Sequence, residues 1–408
     1  MKLKPMVIGL MALGMMSPAV GSDIAQEIQA IKDRLANLES QLSQEKAKNQ
    51  QLQNKIAQMS EHQTPDVAHD NGIIKSLEVS GAVEVEAFST HADGGAQLKE
   101  DGSDIEAVTL EIGLDAQITD WVGAHILLLH EEGGNADNQD ISVDEVSITL
   151  ANADVTPFFL TLGRIYVPFG NYESNHVSDP LTLEIGETSD TVVQIGFESG
   201  AFSGSVYVFN GDTETNDHSQ IEQIGANIAW AMESDTMNLA LGLDWINQIG
   251  ESDTLGSALL NANTLEDKIG GVAVYAVLGL GDWQLIGEYV TATESFQANE
   301  LSHNGSGAKP EAFNLEVAYG MNLFGRDATI ALAYQETDEA LALSLPESVY
   351  LFTVSVDVFD NTSLSFEWRH ENEYDSGDVG IGNDGGVNIV NGSSDESDTL
   401  TLQLAVEF

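Results

Sequence analysis

From Leu77 to the C-terminus the chain repeats one pattern, runs of about ten residues in which apolar side chains alternate with polar or small ones. In Glu106–Ile118, the residues Val108, Leu110, Ile112, Leu114, Ala116 and Ile118 share one parity; Thr109, Glu111, Gly113, Asp115 and Gln117 share the other. A period of two places them on opposite faces of a strand. Glu222–Met232, Val349–Val358 and Asn361–His370 alternate in the same way. Sixteen such runs are centred near residues 83, 112, 126, 147, 161, 195, 206, 227, 242, 275, 287, 317, 331, 353, 367 and 403. No segment after residue 21 reaches a dozen uninterrupted apolar residues, so a membrane-spanning reading requires strands. In lipid, strands satisfy their backbone groups only in a closed barrel.

The connections sort into two classes. Thr119-Asp120, Asn152–Thr156, Ser199-Gly200, Glu233–Thr236, Gly281-Asp282, Asn322–Arg326 and Phe359–Thr362 are short. They alternate strictly with longer ones near 89–104, 131–142, 166–190, 210–219, 247–268, 292–311, 336–347 and 371–397. A soluble sandwich has no reason to do this, whereas bacterial outer-membrane barrels pair short periplasmic turns with long outer loops. The last run, Thr399–Phe408, ends on an aromatic after Leu400, Leu402, Leu404 and Val406. That ending resembles the signal read by the outer-membrane barrel assembly machinery.

The N-terminal part follows a different period. Lys2 and Lys4 precede the apolar stretch Met6–Met16, and Ala19-Val20-Gly21 supplies small residues before Ser22, the pattern of a secretory signal peptide over 1–21. Ile28, Leu35, Leu42, Asn49 and Ile56 then recur every seven residues, with Ile31, Leu38, Glu45, Leu52 and Met59 as a second series. These are the a and d positions of a coiled coil over 22–62, which implies a homo-oligomer through that segment. Residues 63–76, containing Pro65, read as a linker. The expected fold is therefore all-β: a 16-stranded antiparallel transmembrane β-barrel over 77–408, preceded by a periplasmic α-helical coiled coil. Outer-membrane lipid and lipopolysaccharide are its expected surroundings.

Charge narrows the function. The 408 residues carry a formal net charge of −52. Nearly all of it lies in the barrel region, where Lys99, Arg164, Lys268, Lys309, Arg326 and Arg369 face 58 acids. Phosphate repulsion excludes nucleic acid as a partner. An anion-selective lumen needs a ladder of basic side chains that six scattered residues do not supply. The excess acid is either a solvated, salt-adapted surface or a cation-favouring lumen with an extracellular face able to hold divalent cations. There is no cysteine, and the nine histidines show no metal-ligand spacing. With no Gly-x-Ser-x-Gly motif and no phosphate loop, the chain reads as a non-enzyme without cofactor, metal set or catalytic residues.

Several stretches resemble the LbtU family of siderophore porins: Leu77–Phe88, Trp121–Glu132, Ser178–Thr188, Ser205–Gly211 and above all Leu162-Gly-Arg-Ile-Tyr-Val-Pro-Phe-Gly-Asn-Tyr-Glu-Ser-Asn175. The resemblance implies an outer-membrane barrel that admits ferric siderophores without a plug domain. It carries over no agreed binding residues. Independently, a plugged receptor needs about 22 strands, more than this length provides. A general pore for small cations and a structural outer-membrane tether remain as alternatives.

The connection 166–190 is the candidate site. Pro168 and Pro180 stiffen it, Gly170 permits a sharp turn, and Phe169 and Tyr172 are placed to anchor it or to meet a solute. If it folds into the lumen, Glu173, Asp179, Glu184 and Glu187 add negative charge at a constriction; otherwise it is a surface loop ordered by its own aromatics. Arg369 shares the polar parity of Ser365 and Glu367 and reads as a lumenal base within a charge network. Arg164 shares parity with Leu160 and Leu162, so it either snorkels outward or follows a bulge at Gly163. The Asp-, Asn- and Gly-rich loops 210–219 and 371–397 resemble calcium-binding loops only in composition, and solvated disorder is the preferred reading.

Overall fold

Alternation over the barrel region closes into a single antiparallel ladder in the computed structural model, which describes residues 74–92, 101–131, 141–215, 220–234 and 236–408. The segments expected to be a signal peptide (1–21) and a coiled coil (22–62), and nearly all of the expected linker, lie outside the described residues.

In chain order the strands are β1 (Ser76–Ala92), β2 (Gly102–Gln117), β3 (Val122–Glu131), β4 (Ser142–Ala151), β5 (Phe158–Tyr166), β6 (Ser189–Ser199) and β7 (Phe202–Phe209). Then come β8 (Gln223–Glu233), β9 (Met237–Ile246), β10 (Gly271–Leu280), β11 (Trp283–Ala292), β12 (Ser302–His303), β13 (Ser306–Gly307) and β14 (Glu311–Leu323). The last are β15 (Arg326–Asp338), β16 (Ser348–Phe359), β17 (Thr362–Asn372), β18 (Val379–Asn383), β19 (Val387–Asn391) and β20 (Glu396–Glu407). Sixteen of them, β1–β11, β14–β17 and β20, form a closed barrel in sequential order. Closure pairs β1 with β20 from Ala82↔Glu407 to Ala92↔Ser397. Backbone bonds in both directions between Gly81 and Phe408 finish it.

Parity decides the faces. Ile224, Ile228, Leu243, Leu315, Leu332 and Leu402 are exposed on the outside, part of an apolar band of the kind that transmembrane barrels turn to lipid. Val83 is exposed there too, and its cross-strand partner Leu110 shares that face, as do Val108 and Ile112 by parity. The β4–β5 register runs without a shift through Ser147↔Gly163 and Val146↔Arg164. Arg164 therefore keeps its outward parity, and its Nε donates to the Ser189 hydroxyl at 3.2 Å near the long-loop end. No bulge is present at Gly163, but glycine is required there. Its φ is +142°, and a Cβ would overlap the Val146 carbonyl oxygen.

The barrel is filled unevenly. Its buried apolar core draws on Val192 of β6, Tyr207 and Phe209 of β7, Ile246 of β9, Val290 of β11 and Leu351 of β16, together with loop residues. No fully buried residue of β1–β5 belongs to it.

The long loops above the filled side are structured. β13, β12, β18 and β19 form a small sheet in that order. Tyr374 and Val390 pack there with Leu341, and Tyr374 bonds the Thr337 hydroxyl at 2.8 Å. This corrects the expectation of disorder over 371–397. The segment is polar in composition, but its few apolar residues find a partner in another loop, which composition does not reveal.

Candidate functional site

The segment between β5 and β6 folds inward. Val167 N donates to Thr188 O at 2.9 Å, closing the neck of the loop. Gly170 at φ +85° and Tyr172 at φ +52° turn the chain back on itself. The Tyr172 hydroxyl donates to the Phe169 carbonyl at 2.6 Å. Phe169 is 1% exposed, beneath the loop and out of reach of a solute, and anchors it. Pro180 then precedes a short helix, Leu181–Gly186, whose Leu181 and Ile185 enter the core. Burying these three side chains contributes about 2 kcal/mol each to seating the loop.

Polar seating is as extensive. Gly170 N donates to Asp244 Oδ2 at 2.9 Å, and Asn171 N to Glu288 Oε1 at 2.6 Å. The Thr182 hydroxyl reaches Glu288 Oε2 at 2.8 Å. Glu316 accepts from Asn175 N at 2.9 Å and from the Ser174 hydroxyl at 3.1 Å. Glu367 accepts from Val177 N at 2.7 Å and from both the backbone N–H and the hydroxyl of Ser178. These four carboxylates, from β9, β11, β14 and β17, are each at most 3% exposed. Four buried acids serve as acceptors for one stretch of loop backbone. Such charge-assisted bonds are roughly twice as strong as neutral ones.

The other side of the loop carries charge toward β1–β5. Burial, followed by Glu184, raises the Asp179 carboxyl above its ordinary range; Arg369 pulls it back, and Glu84 of β1 and Glu367 raise it further. Glu187 is pushed up to about 7, first by burial, then by Asp253 and Asp179, and then by Asp144 of β4 and Glu131 of β3. Glu184 accepts from the Thr254 hydroxyl at 2.8 Å, and Glu173 from Gln284 Nε2 at 2.7 Å. Arg369 lies on the lumen wall, its Nε 2.6 Å from Glu371 Oε1.

Asp179 is thus within electrostatic reach of Glu184, Glu187 and Arg369, Glu187 also feels Asp253 and, less strongly, Asp144 and Glu131 of the β1–β5 wall, and Glu173 sits apart beside the short-turn end of β11. The sequence reading missed the acceptors Asp244, Glu288 and Glu316, and took Glu367 only as wall. The available signal was a lone acid at inward parity between large outward residues, as in Leu243-Asp244-Trp245, Leu315-Glu316-Val317 and Phe366-Glu367-Trp368.

A titration follows from Glu187. Its folded pKa lies above the ordinary 4.5, so the seated loop binds a proton more strongly than a free carboxylate does. Stability from this group is full below about 4.5 and is lost as pH rises through about 7. Negative charge on the loop grows over the same window. We expect cation preference across the barrel to increase between about pH 6 and pH 8, as measured by reversal potential in a salt gradient.

A closed antiparallel barrel of sixteen strands, apolar outside and with one long loop folded against its inner wall, has the fold of the outer-membrane porins. Among solved structures, the Acinetobacter baumannii outer-membrane channel DcaP matches with a TM-score of 0.53 and 13% identity, over 82% of this chain and 97% of its own. Pseudomonas putida OprB matches at 0.55 and 10% identity, over 81% and 94%. An anion-selective porin from Comamonas acidovorans matches at 0.55 and 12%, over 82% and 99%. No family model matches the chain. In sequence, a UPF0422 protein of Legionella pneumophila is 29% identical over 344 residues, 78% of this chain and 63% of the relative. A UPF0422 protein of Coxiella burnetii is 26% identical over 272 residues, 65% and 58% respectively. The matched region spans less than two thirds of these relatives' length.

Proposed function

We propose that the barrel is a plug-free pore of the bacterial outer membrane whose constriction, between loop 167–188 and the β1–β5 wall, favours cations. The observation that carries this reading is the loop seated on the β9, β11, β14 and β17 wall, with Asp179 and Glu187 near enough to Glu84, Glu131 and Asp144 for those charges to raise their carboxyls. Arg369 is already engaged by Glu371, so the acids set the field. The purified protein in a planar bilayer should give a cation-selective reversal potential that weakens as salt rises and screening shortens. An anion-selective or non-conducting barrel refutes the reading.

The finer reading is that the solute is a ferric siderophore. What supports it is the family resemblance: the most similar stretch, Leu162–Asn175, makes up the end of β5 and the first half of the seated loop. The acidic field disfavours ferric complexes that carry free carboxylates and suits neutral or cationic ones. A neutral ferric hydroxamate should block small-ion current at sub-millimolar concentration; current indifferent to it leaves a general cation pore. The coiled coil over 22–62 is proposed to join copies in the periplasm. Deleting 24–60 should leave a folded barrel that associates less, as read by sizing in detergent.

A further inference from the structure

His176 lies at the tip of the seated loop, between the two residues held by Glu316 and the two held by Glu367. Its side chain is fully buried. Nδ1 stands 2.7 Å from the Thr353 hydroxyl oxygen. That hydroxyl donates to Glu367 Oε2 at 3.0 Å and so has spent its only proton. The Thr353 oxygen must therefore accept, and His176 must carry its hydrogen on Nδ1. Nε2 is then bare in the neutral ring. It is buried without a hydrogen-bond partner, and the nearest carboxylate oxygen, Glu316 Oε2, is 3.8 Å away.

We infer that His176 is a proton-operated latch which holds the constriction loop on the wall while neutral and lets it go when charged. This rests on loop 167–188 forming the constriction. The charged groups facing the ring are Glu316 from β14 and Glu367 and Arg369 from β17, while Thr353 from β16 is uncharged. Burial pushes the imidazole below its ordinary value and Arg369 adds to this, against the pull of Glu316 and Glu367. Once off the wall the ring is hydrated and titrates normally, so acid favours the released loop. The latch is intact above the ordinary histidine pKa of about 6.5 and weakens as pH falls below it.

Two measurements on the full-length protein test this. Nitrogen-15 NMR of the ring in detergent micelles, assigned with His176→Asn, should show hydrogen on Nδ1, a bare Nε2 at neutral pH and titration below the ordinary value. Single-channel recordings in 1 M salt, which screens the acidic residues, should show current interruptions rising up to about tenfold on going from pH 7.5 to 5.5. In His176→Asn, which keeps a donor toward Thr353 and cannot ionise, the acid-induced rise should vanish and leave only the opposite, weaker trend from Glu187, whose protonation steadies the seated loop as pH falls; heat-modifiable gel migration checks that its barrel is folded. Hydrogen on Nε2 of the neutral ring, titration at or above the ordinary value, or an undiminished pH response in the variant each overturns the latch. Reversal potentials in the same membranes report separately on whether the barrel is a cation-favouring pore.

Discussion

Replacing Glu316 and Glu367 together with glutamine should free the tip of loop 167–188 without opening the barrel. Each carboxylate offers only acceptors, and together they take bonds from Ser174, Asn175, Val177, Ser178 and Thr353. A glutamine has one accepting end, and its other end is a donor facing donors. Converting charge-assisted bonds to neutral ones and losing some outright should cost the seated state roughly 5 kcal/mol, at about 1 kcal/mol per bond. The strand ladder does not depend on these side chains. We expect larger and noisier single-channel currents and new proteolytic cutting within 170–180, with unchanged heat-modifiable migration. Unaltered conductance and protease resistance in the double variant would mean that apolar seating by Phe169, Leu181 and Ile185 suffices.

The second large effect concerns selectivity. Asp179→Asn with Glu187→Gln removes the two loop acids that feel Glu84, Glu131 and Asp144 of the β1–β5 wall while leaving the loop's attachments in place. The loop then contributes no charge near the passage except that of Glu184, which is tied to Thr254. We expect the cation-to-anion permeability ratio to fall about tenfold at low salt and far less at 1 M, where the screening length is about 3 Å. Replacing Glu173, which is bonded to Gln284, should change it little. A ratio that stays constant in the Asp179 and Glu187 variant would show that the loop does not line the conduction path.

Much of the fold was legible because the barrel is built from local alternation. All sixteen predicted centres fall inside barrel strands, and Leu110 and Ile224 take the predicted outward face. Strand parity needs only neighbours in sequence, so one sequence carries it. The seating of the loop is different. Val177 meets Glu367 across 190 residues, and Asn171 meets Glu288 across 117. No periodicity registers such pairs. The acids also misled as a count. Asp244, Glu288, Glu316 and Glu367 were counted among the 58 acids read as a solvated surface or a cation-favouring lumen, yet they are buried and accept from N–H and hydroxyl groups. Likewise Phe169 read equally well as a lining or an anchoring aromatic, and only its burial separates the two.

The lopsided filling of the barrel has a consequence for how such a protein changes over time. Strands β6–β17 with the seated loop are packed like the interior of a soluble domain, where a single methylene group is felt. Strands β1–β5 carry almost no such obligation, and their inward side chains meet mainly the passage. Substitutions that retune what the barrel admits can therefore accumulate along Glu84, Glu111, Glu131 and Asp144 at little cost to folding, while the opposite half stays fixed. One side of the ring is free to explore new solutes because the other has already committed to holding the shape.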